Sequence, residues 1–337
     1  MENDLRLEDD LRRRISRLLG RPVTGIELID DYSGTTRRTR ARLQMADGDA
    51  LAVFVKRPSR SPVARALVAV PGLSRAEVGF YAELRDQVPV AAPRCHGARG
   101  RRWSFTVVLE DLADSGATLR SATDTLGVGE AAALLGALAA MHRQWWAKTG
   151  CRPWLAQNPR RELALGALLS PPLCRLGLRR SGAAVPRELH RPVARYARNR
   201  RAAHGAMSAG PATLIHNDCH PGNQFVTADG RVGLLDWQLC RAGPWARDVA
   251  YLLATSLDPE IRRSAERDLL AEYLGRLGPV APTPDEAWLA YRRNIVYAFE
   301  AMLVTAAVGV MMPGPASLAL VERAGVAAAD LDSFRAL

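Results

Sequence analysis

Apolar residues recur at helical spacing at the start of the chain. Leu7, Leu11, Ile15, Leu18 and Leu19 are interleaved with arginines and acids and followed by Gly20, which predicts an amphipathic helix over 5–19. From residue 23 the period shortens. Ile26–Ile29, Arg40–Met45 and Leu51–Lys56 read as strands, joined at Ser33-Gly34-Thr35-Thr36 and at the tight turn Ala46-Asp47-Gly48-Asp49. A helix is predicted over 72–86, where Ser74 and Glu77 have the spacing of a capping box. Residues 89–97 and 103–109 read as two further strands. Gly127-Val128-Gly129 opens a helix running to about Lys148, and no strand precedes it, so it is no dinucleotide fingerprint. Prolines at 153, 159, 171, 172, 186 and 192 predict short helices and loops over 150–205. Helices are predicted over 259–277, 284–312 and from 316 to the end. Strands gathered early and helices late make the fold class α+β.

One stretch carries the chemistry. Residues 213–251 begin with an apolar run into His216, Asn217 and Asp218. Asn223 follows Asp218 by five positions and Asp236 follows it by eighteen. Between Asn223 and Asp236, two short apolar strands flank Ala228-Asp229-Gly230, a hairpin pattern. Three oxygen-bearing side chains therefore meet at the ends of one hairpin, which suits hard divalent cations and a base for a hydroxyl.

His-x-Asp-x-x-x-x-Asn followed by a strand-borne Asp resembles the catalytic loop and metal-binding segment of the eukaryotic-type kinase fold. The wording His216-Asn217-Asp218-Cys219-His220-Pro221-Gly222-Asn223, then Asp236-Trp237-Gln238, looks like the aminoglycoside phosphotransferase and choline kinase branch. Within it the ecdysteroid-kinase-like small-molecule kinases look most similar. One departure is Asn217, where many relatives carry Gly. The resemblance implies a bilobal fold: residues 1–110 a small antiparallel-sheet lobe, residues 111–337 a larger, mainly helical one.

It also implies roles. Asp218 is the catalytic residue that accepts or orients the acceptor hydroxyl. Asn223 and Asp236 hold Mg²⁺, and Lys56, at the end of a Val-Phe-Val run, neutralises nucleotide phosphates. Glu77 either caps its helix with Ser74 or pairs with Lys56. The turn Ser33, Gly34, Thr35 and Thr36 has a single glycine; it is an ordinary hairpin or, by resemblance, a phosphate-covering loop using backbone N–H groups and hydroxyls. Glu110 and Leu112 read the adenine edge through main chain. His216 and Asp248 are structural, Asp248 accepting from the catalytic-loop backbone. The expected cofactors are ATP (or GTP) and Mg²⁺. No Ala-Pro-Glu sequence or long activation segment follows Trp237, so the acceptor is a small-molecule hydroxyl, such as a natural product or antibiotic, rather than a protein. The competing reading is a nucleotide-binding pseudoenzyme.

Composition narrows this further. The 337 residues hold 44 arginines but two lysines, Lys56 and Lys148, and a formal charge of +11. The arginines are dispersed without an aromatic-interleaved stripe, which argues against nucleic acid. The basic balance also disfavours polycationic aminoglycosides as acceptors. Five widely spaced cysteines with no Cys-x-x-Cys argue against a disulfide framework or zinc. His216 and His220 precede Pro221-Gly222, which disfavours a helical metal pair. The longest apolar run, 301–312, is too short to span a bilayer, and the acidic start is no signal peptide, so a cytoplasmic location is expected.

Overall fold

A computed structural model describes residues 2–152, 154–155 and 159–337, so Pro153 among the predicted helix breakers lies outside the described residues. The chain divides into two compact units. The first comprises the chain up to Leu119 with 226–231 and 235–238; the second comprises the remainder.

In the first unit, helix α1 (Glu2–Leu19) precedes strands β1 (Val23–Ser33), β2 (Thr36–Met45) and β3 (Ala50–Pro58). After two short helices, α2 (Pro62–Ala69) and α3 (Leu73–Gly79), come β4 (Cys95–Arg101), β5 (Ser104–Glu110) and the two-residue β6 (Thr118–Leu119). The first five strands form an antiparallel sheet in the order β1-β2-β3-β5-β4. Its alternation puts Ala41, Leu43 and Met45 of β2 and Val53 and Val55 of β3 on one face, against Leu11 and Ile15 of α1. Burying each such aliphatic side chain contributes about 1.5–3 kcal/mol, so the amphipathic stripe of α1 anchors the sheet.

Two expectations fail between β3 and β4. Helix α2 is additional, started by Ser61, whose hydroxyl accepts from the Ala64 N–H, and by Pro62. The predicted helix over 72–86 is α-helical only to Gly79, then tightens and widens through a π turn (Phe80–Leu84) and a 3₁₀ turn (Arg85–Gln87). Ser74 is not its cap. The helix enters from Gly72 at φ 82°, a conformation suited to glycine, while the Ser74 hydroxyl donates to the Arg102 carbonyl.

The second unit is mainly helical: α4 (Val128–Trp145), α5 (Pro159–Ser181), α6 (His190–Arg198) and α7 (Arg200–Met207) precede strand β7 (Ala212–Ile215). Strands β8 (Gln224–Val226) and β9 (Val232–Leu234) flank the turn in which the Thr227 N–H donates to the Arg231 carbonyl. Strand β10 (Arg241–Pro244), antiparallel to β7, leads into α8 (Trp245–Ser256), α9 (Pro259–Leu277), α10 (Pro284–Val308) and α11 (Gly314–Asp330).

Tertiary packing overrides proline in α5, which runs unbroken through Pro171 and Pro172 instead of fragmenting. Its Ser170 hydroxyl donates to Glu300 of α10 at 2.7 Å, and a Cβ on Gly177 would meet the Leu303 carbonyl at 2.3 Å, so the two helices touch backbone to backbone. Helix α10 stops at Val308, short of the predicted 312. Gly309 ends it at φ 74°, and the Arg180 guanidinium donates to the Ala306 and Ala307 carbonyls. Likewise α11 ends at Asp330 rather than at the terminus. Among the described residues no helix is long and apolar enough to cross a membrane, and Cys95, Cys174, Cys219 and Cys240 are free thiols.

Candidate active site

The first unit gathers an ionic cluster at the end of β3. Alternation along β3 buries Val53 and Val55, and the next residue, Lys56, is itself only 3 % exposed. Its ammonium donates to Oε1 of Glu77 on α3 and, at 2.8 Å, to Oδ1 of Asp236. Arg38 of β2 reaches Oδ2 of Asp236 at 3.3 Å. Of the two roles open to Glu77, the structure shows the pairing. Burial works against the charge on Lys56, but Asp236 and Glu77 outweigh it and hold the ammonium pKa above its ordinary value. Burial lifts the Glu77 carboxyl, against the pull of Lys56 and with repulsion from Asp236 adding to the rise. Asp236 itself has a left-handed backbone, φ 64°. The next ring, Trp237, stacks on Phe80 with centroids 3.8 Å apart and planes 4° from parallel.

In the second unit the segment after β7 holds Asp218 and Asn223 together. The Asn223 amide nitrogen donates to the Asp218 main-chain carbonyl at 3.0 Å and to its Oδ2 at 2.9 Å. Oδ1 accepts from the Tyr251 hydroxyl of α8 at 2.7 Å. Burial, then the charge of Asp218, raises the Tyr251 pKa well above the ordinary value, so this phenol stays a donor. Asn217 sits at φ 73°, in the left-handed region that suits Gly; Asn is among the few other residues that tolerate it.

Asp248 is the fixed point of that loop. Its carboxylate accepts from the His216 N–H at 2.8 Å, the Asn217 N–H at 2.7 Å and the His142 ring at 3.2 Å. Burial opposes the charge, but these donors hold its pKa below the ordinary carboxylate value. His142 is a fully buried, hydrogen-bonded histidine, with Tyr273 on its other nitrogen at 2.7 Å. The His216 ring accepts from the Asp218 N–H at 3.3 Å.

The turn residues Ser33 to Thr36 join β1 to β2 in the first unit. The Gly34 N–H already donates to the Thr36 carbonyl at 3.0 Å, and the Ser33 hydroxyl meets that of Ser59 at 3.2 Å. The Thr36 hydroxyl is buried without a hydrogen-bond partner. At the end of β5 the Glu110 N–H donates to the Arg94 carbonyl, and just beyond it the Leu112 carbonyl accepts from the Ala117 N–H and the Ser115 hydroxyl. Arg40 pins the intervening Asp111 at 2.9 Å.

Two contacts have no counterpart in the sequence reading, those of Tyr251 and Arg38. Both lie inside elements whose pattern announces only packing. Within the second unit, Asn223 turns its amide nitrogen to Asp218 and so keeps its amide oxygen as a hard donor; within the first, Asp236 carries carboxylate oxygens, also of the donor type Mg²⁺ takes. No group of three or more His, Cys, Asp and Glu forms a protein-only metal cage among the described residues. Mg²⁺ in nucleotide sites takes one or two protein oxygens and completes its shell with phosphate and water.

Comparison with solved structures gives matches spanning nearly the whole chain. Choline kinase LicA from Streptococcus pneumoniae is 15% identical, with 96% of this chain and 99% of that one covered and a TM-score of 0.52. An ethanolamine kinase from Plasmodium vivax is 10% identical, covering 91% and 81%, with a TM-score of 0.54. A provisional fructosamine-3-kinase from Thermobifida fusca is 20% identical, covering 94% and 97%, with a TM-score of 0.52. At these identities the likeness shows the fold, which is kinase-like. A search of curated proteins finds no match. The model of the phosphotransferase enzyme family matches residues 33–290, well over half the chain and all the residues singled out above, and the chain belongs to that family.

Proposed function

We propose that the protein is an ATP-dependent (or GTP-dependent) O-phosphotransferase acting on a hydroxyl of a small molecule. The observation that carries this reading is the buried Lys56 held between Glu77 and Asp236. Burying one ammonium with two carboxylates costs more in desolvation than a packed apolar cluster, so such a triad marks a site kept for its chemistry. Residues 1–110 are the proposed nucleotide lobe and 111–337 the acceptor lobe.

The roles follow from the chemistry of each side chain. Lys56 places a point charge toward the α and β phosphates, and Glu77 fixes its direction. The hydroxyls of Ser33, Thr35 and Thr36 and the N–H groups of the turn at Ser33, Gly34, Thr35 and Thr36, apart from the Gly34 N–H already bonded to the Thr36 carbonyl, cover the phosphates. The adenine edge is read by the main chain of Glu110 and Leu112, though not through the Glu110 N–H or the Leu112 carbonyl, which are already bonded. Asp236 and the Asn223 oxygen would hold Mg²⁺, which supplies neutralisation of charge on the phosphates. Asp218 orients the acceptor hydroxyl and takes its proton, a mainly positional role because the transition state of phosphoryl transfer is loose.

The acceptor proposed is a natural product or antibiotic hydroxyl, which would make inactivation or self-resistance the physiological role. The charge of +11 keeps polycationic acceptors disfavoured. The ecdysteroid-kinase-like branch remains the proposed subgroup, and a cytoplasmic location without nucleic-acid or membrane partners accompanies the reading. Mass spectrometry of hydroxylated metabolites and antibiotics incubated with enzyme and Mg-ATP tests it. The expected result is a gain of one phosphate that Asp218→Ala abolishes while ADP still binds. Binding of Mg-ATP without transfer to any acceptor would instead favour a pseudoenzyme.

A further inference from the structure

Arg38 on β2 and Lys56 on β3 are directly paired residues of the antiparallel ladder. Side chains of such a pair share one face about 5 Å apart, and two cations there repel unless an anion stands between them. Asp236 is that anion, with Oδ1 on Lys56 and Oδ2 on Arg38.

The two cations are not equivalent. Lys56 has a second carboxylate in Glu77, and its side chain is only 4 % exposed. Arg38 pairs with no other carboxylate among the described residues, and its side chain is 38 % exposed. An ion pair of that exposure is worth at most about a fivefold factor in an equilibrium, so Arg38 is the partner that Asp236 can release.

A divalent cation brought against Asp236 meets both positive charges, and the more exposed one can move into solvent or toward a new anion. Resting on the reading of Asp236 as a metal ligand, we infer that Arg38 is the resident counter-ion of Asp236. It is displaced when a metal–nucleotide complex binds and then serves as a second cation for the phosphates. Arg38 thereby sets the metal affinity of the site: it lowers the affinity of Asp236 for the metal and raises that of the site for polyphosphate. The exchange is one of ion partners, with no covalent bond made or broken.

Opposite effects on two affinities distinguish this role from a structural one. Mn²⁺ binding in the presence of saturating ADP is followed by electron paramagnetic resonance, and metal-free ADP binding by calorimetry, for wild type, R38Q and R38K. In R38Q, Mn²⁺ is expected to bind about two- to fivefold tighter and metal-free ADP to bind more weakly, with R38K close to wild type in both. R38M keeps the aliphatic stem and carries the same expectation if R38Q folds poorly. Mn²⁺ affinity unchanged or weakened in the neutral variants overturns the counter-ion role, and unchanged metal-free ADP affinity overturns the phosphate contact. If wild type binds neither ADP nor Mn-ADP, the phosphotransferase reading falls with it; if wild type binds both and the neutral variants match it, only the role of Arg38 falls.

Discussion

Tyr251 donates its hydroxyl to Oδ1 of Asp218 at 2.7 Å, on the carboxylate oxygen opposite the one held by the Asn223 amide. The carboxylate is thus restrained on both sides. Removing one hydrogen bond to a charged group forfeits about 1.5–3 kcal/mol at most, part of which water restores. Tyr251→Phe is expected to lower turnover about tenfold while leaving the ADP affinity unchanged. Steady-state kinetics beside ADP titration check this; full turnover in the variant would mean that Asp218 needs no such restraint.

Lys56 pairs with two buried carboxylates at once. Lys56→Met would leave Glu77 and Asp236 facing each other without it, and breaking a buried pair in this way costs about 3–5 kcal/mol. Lys56→Met with Glu77→Leu should recover a large part of that loss, because the second carboxylate goes with its partner. Urea unfolding of both variants measures it, and equal losses in the single and double variants would contradict a coupled cluster.

The left-handed backbone at Asn217 separates two substitutions. Asn217→Gly is expected to unfold within about 1 kcal/mol of wild type, whereas Asn217→Val, β-branched in a region it avoids, should cost about 1–3 kcal/mol. Thermal melts decide between them.

His204 supplies a pH dependence. Burial first, then the charges of Arg247, Arg200 and Arg241, lowers its pKa to about 4. Its folded pKa lies below the unfolded value near 6.5, so the unfolded chain binds the proton more tightly. Stability is therefore unaffected above about pH 6.5 and declines as pH falls from there toward 4. With the partial exposure of the ring discounted, the loss at pH 5 is about 1 kcal/mol. His204→Gln should flatten that part of the stability–pH curve, and an unchanged slope would assign the loss to other groups.

What can be read from the sequence follows from the range of the forces involved. Strands β1, β2, β3 and β5 and the wording from His216 to Asp236 are legible because their signals are local: alternation, turn residues and fixed spacings; the strand expected over 89–97 instead forms as β4 at Cys95–Arg101. Ser74 misleads because the entry of α3 is set by the left-handed Gly72 and by the Arg102 carbonyl 28 residues away. The prolines of α5 mislead because contact with α10 decides that helix. Tyr251 and Arg38 cannot be found locally: their partners lie 33 and 198 positions away, and neither residue breaks the periodicity of its element.

The stacked pair Phe80 and Trp237 has an optical consequence. Phe80 follows Glu77 by three residues and Trp237 adjoins Asp236, so the sandwich clamps together the two segments whose acids grip Lys56. Trp237 is fully enclosed, and its emission should be blue-shifted and shielded from iodide. Any rearrangement that parts those segments would uncover the indole and redden its fluorescence, a change read as the difference from a Trp237→Phe variant because the chain holds six other tryptophans.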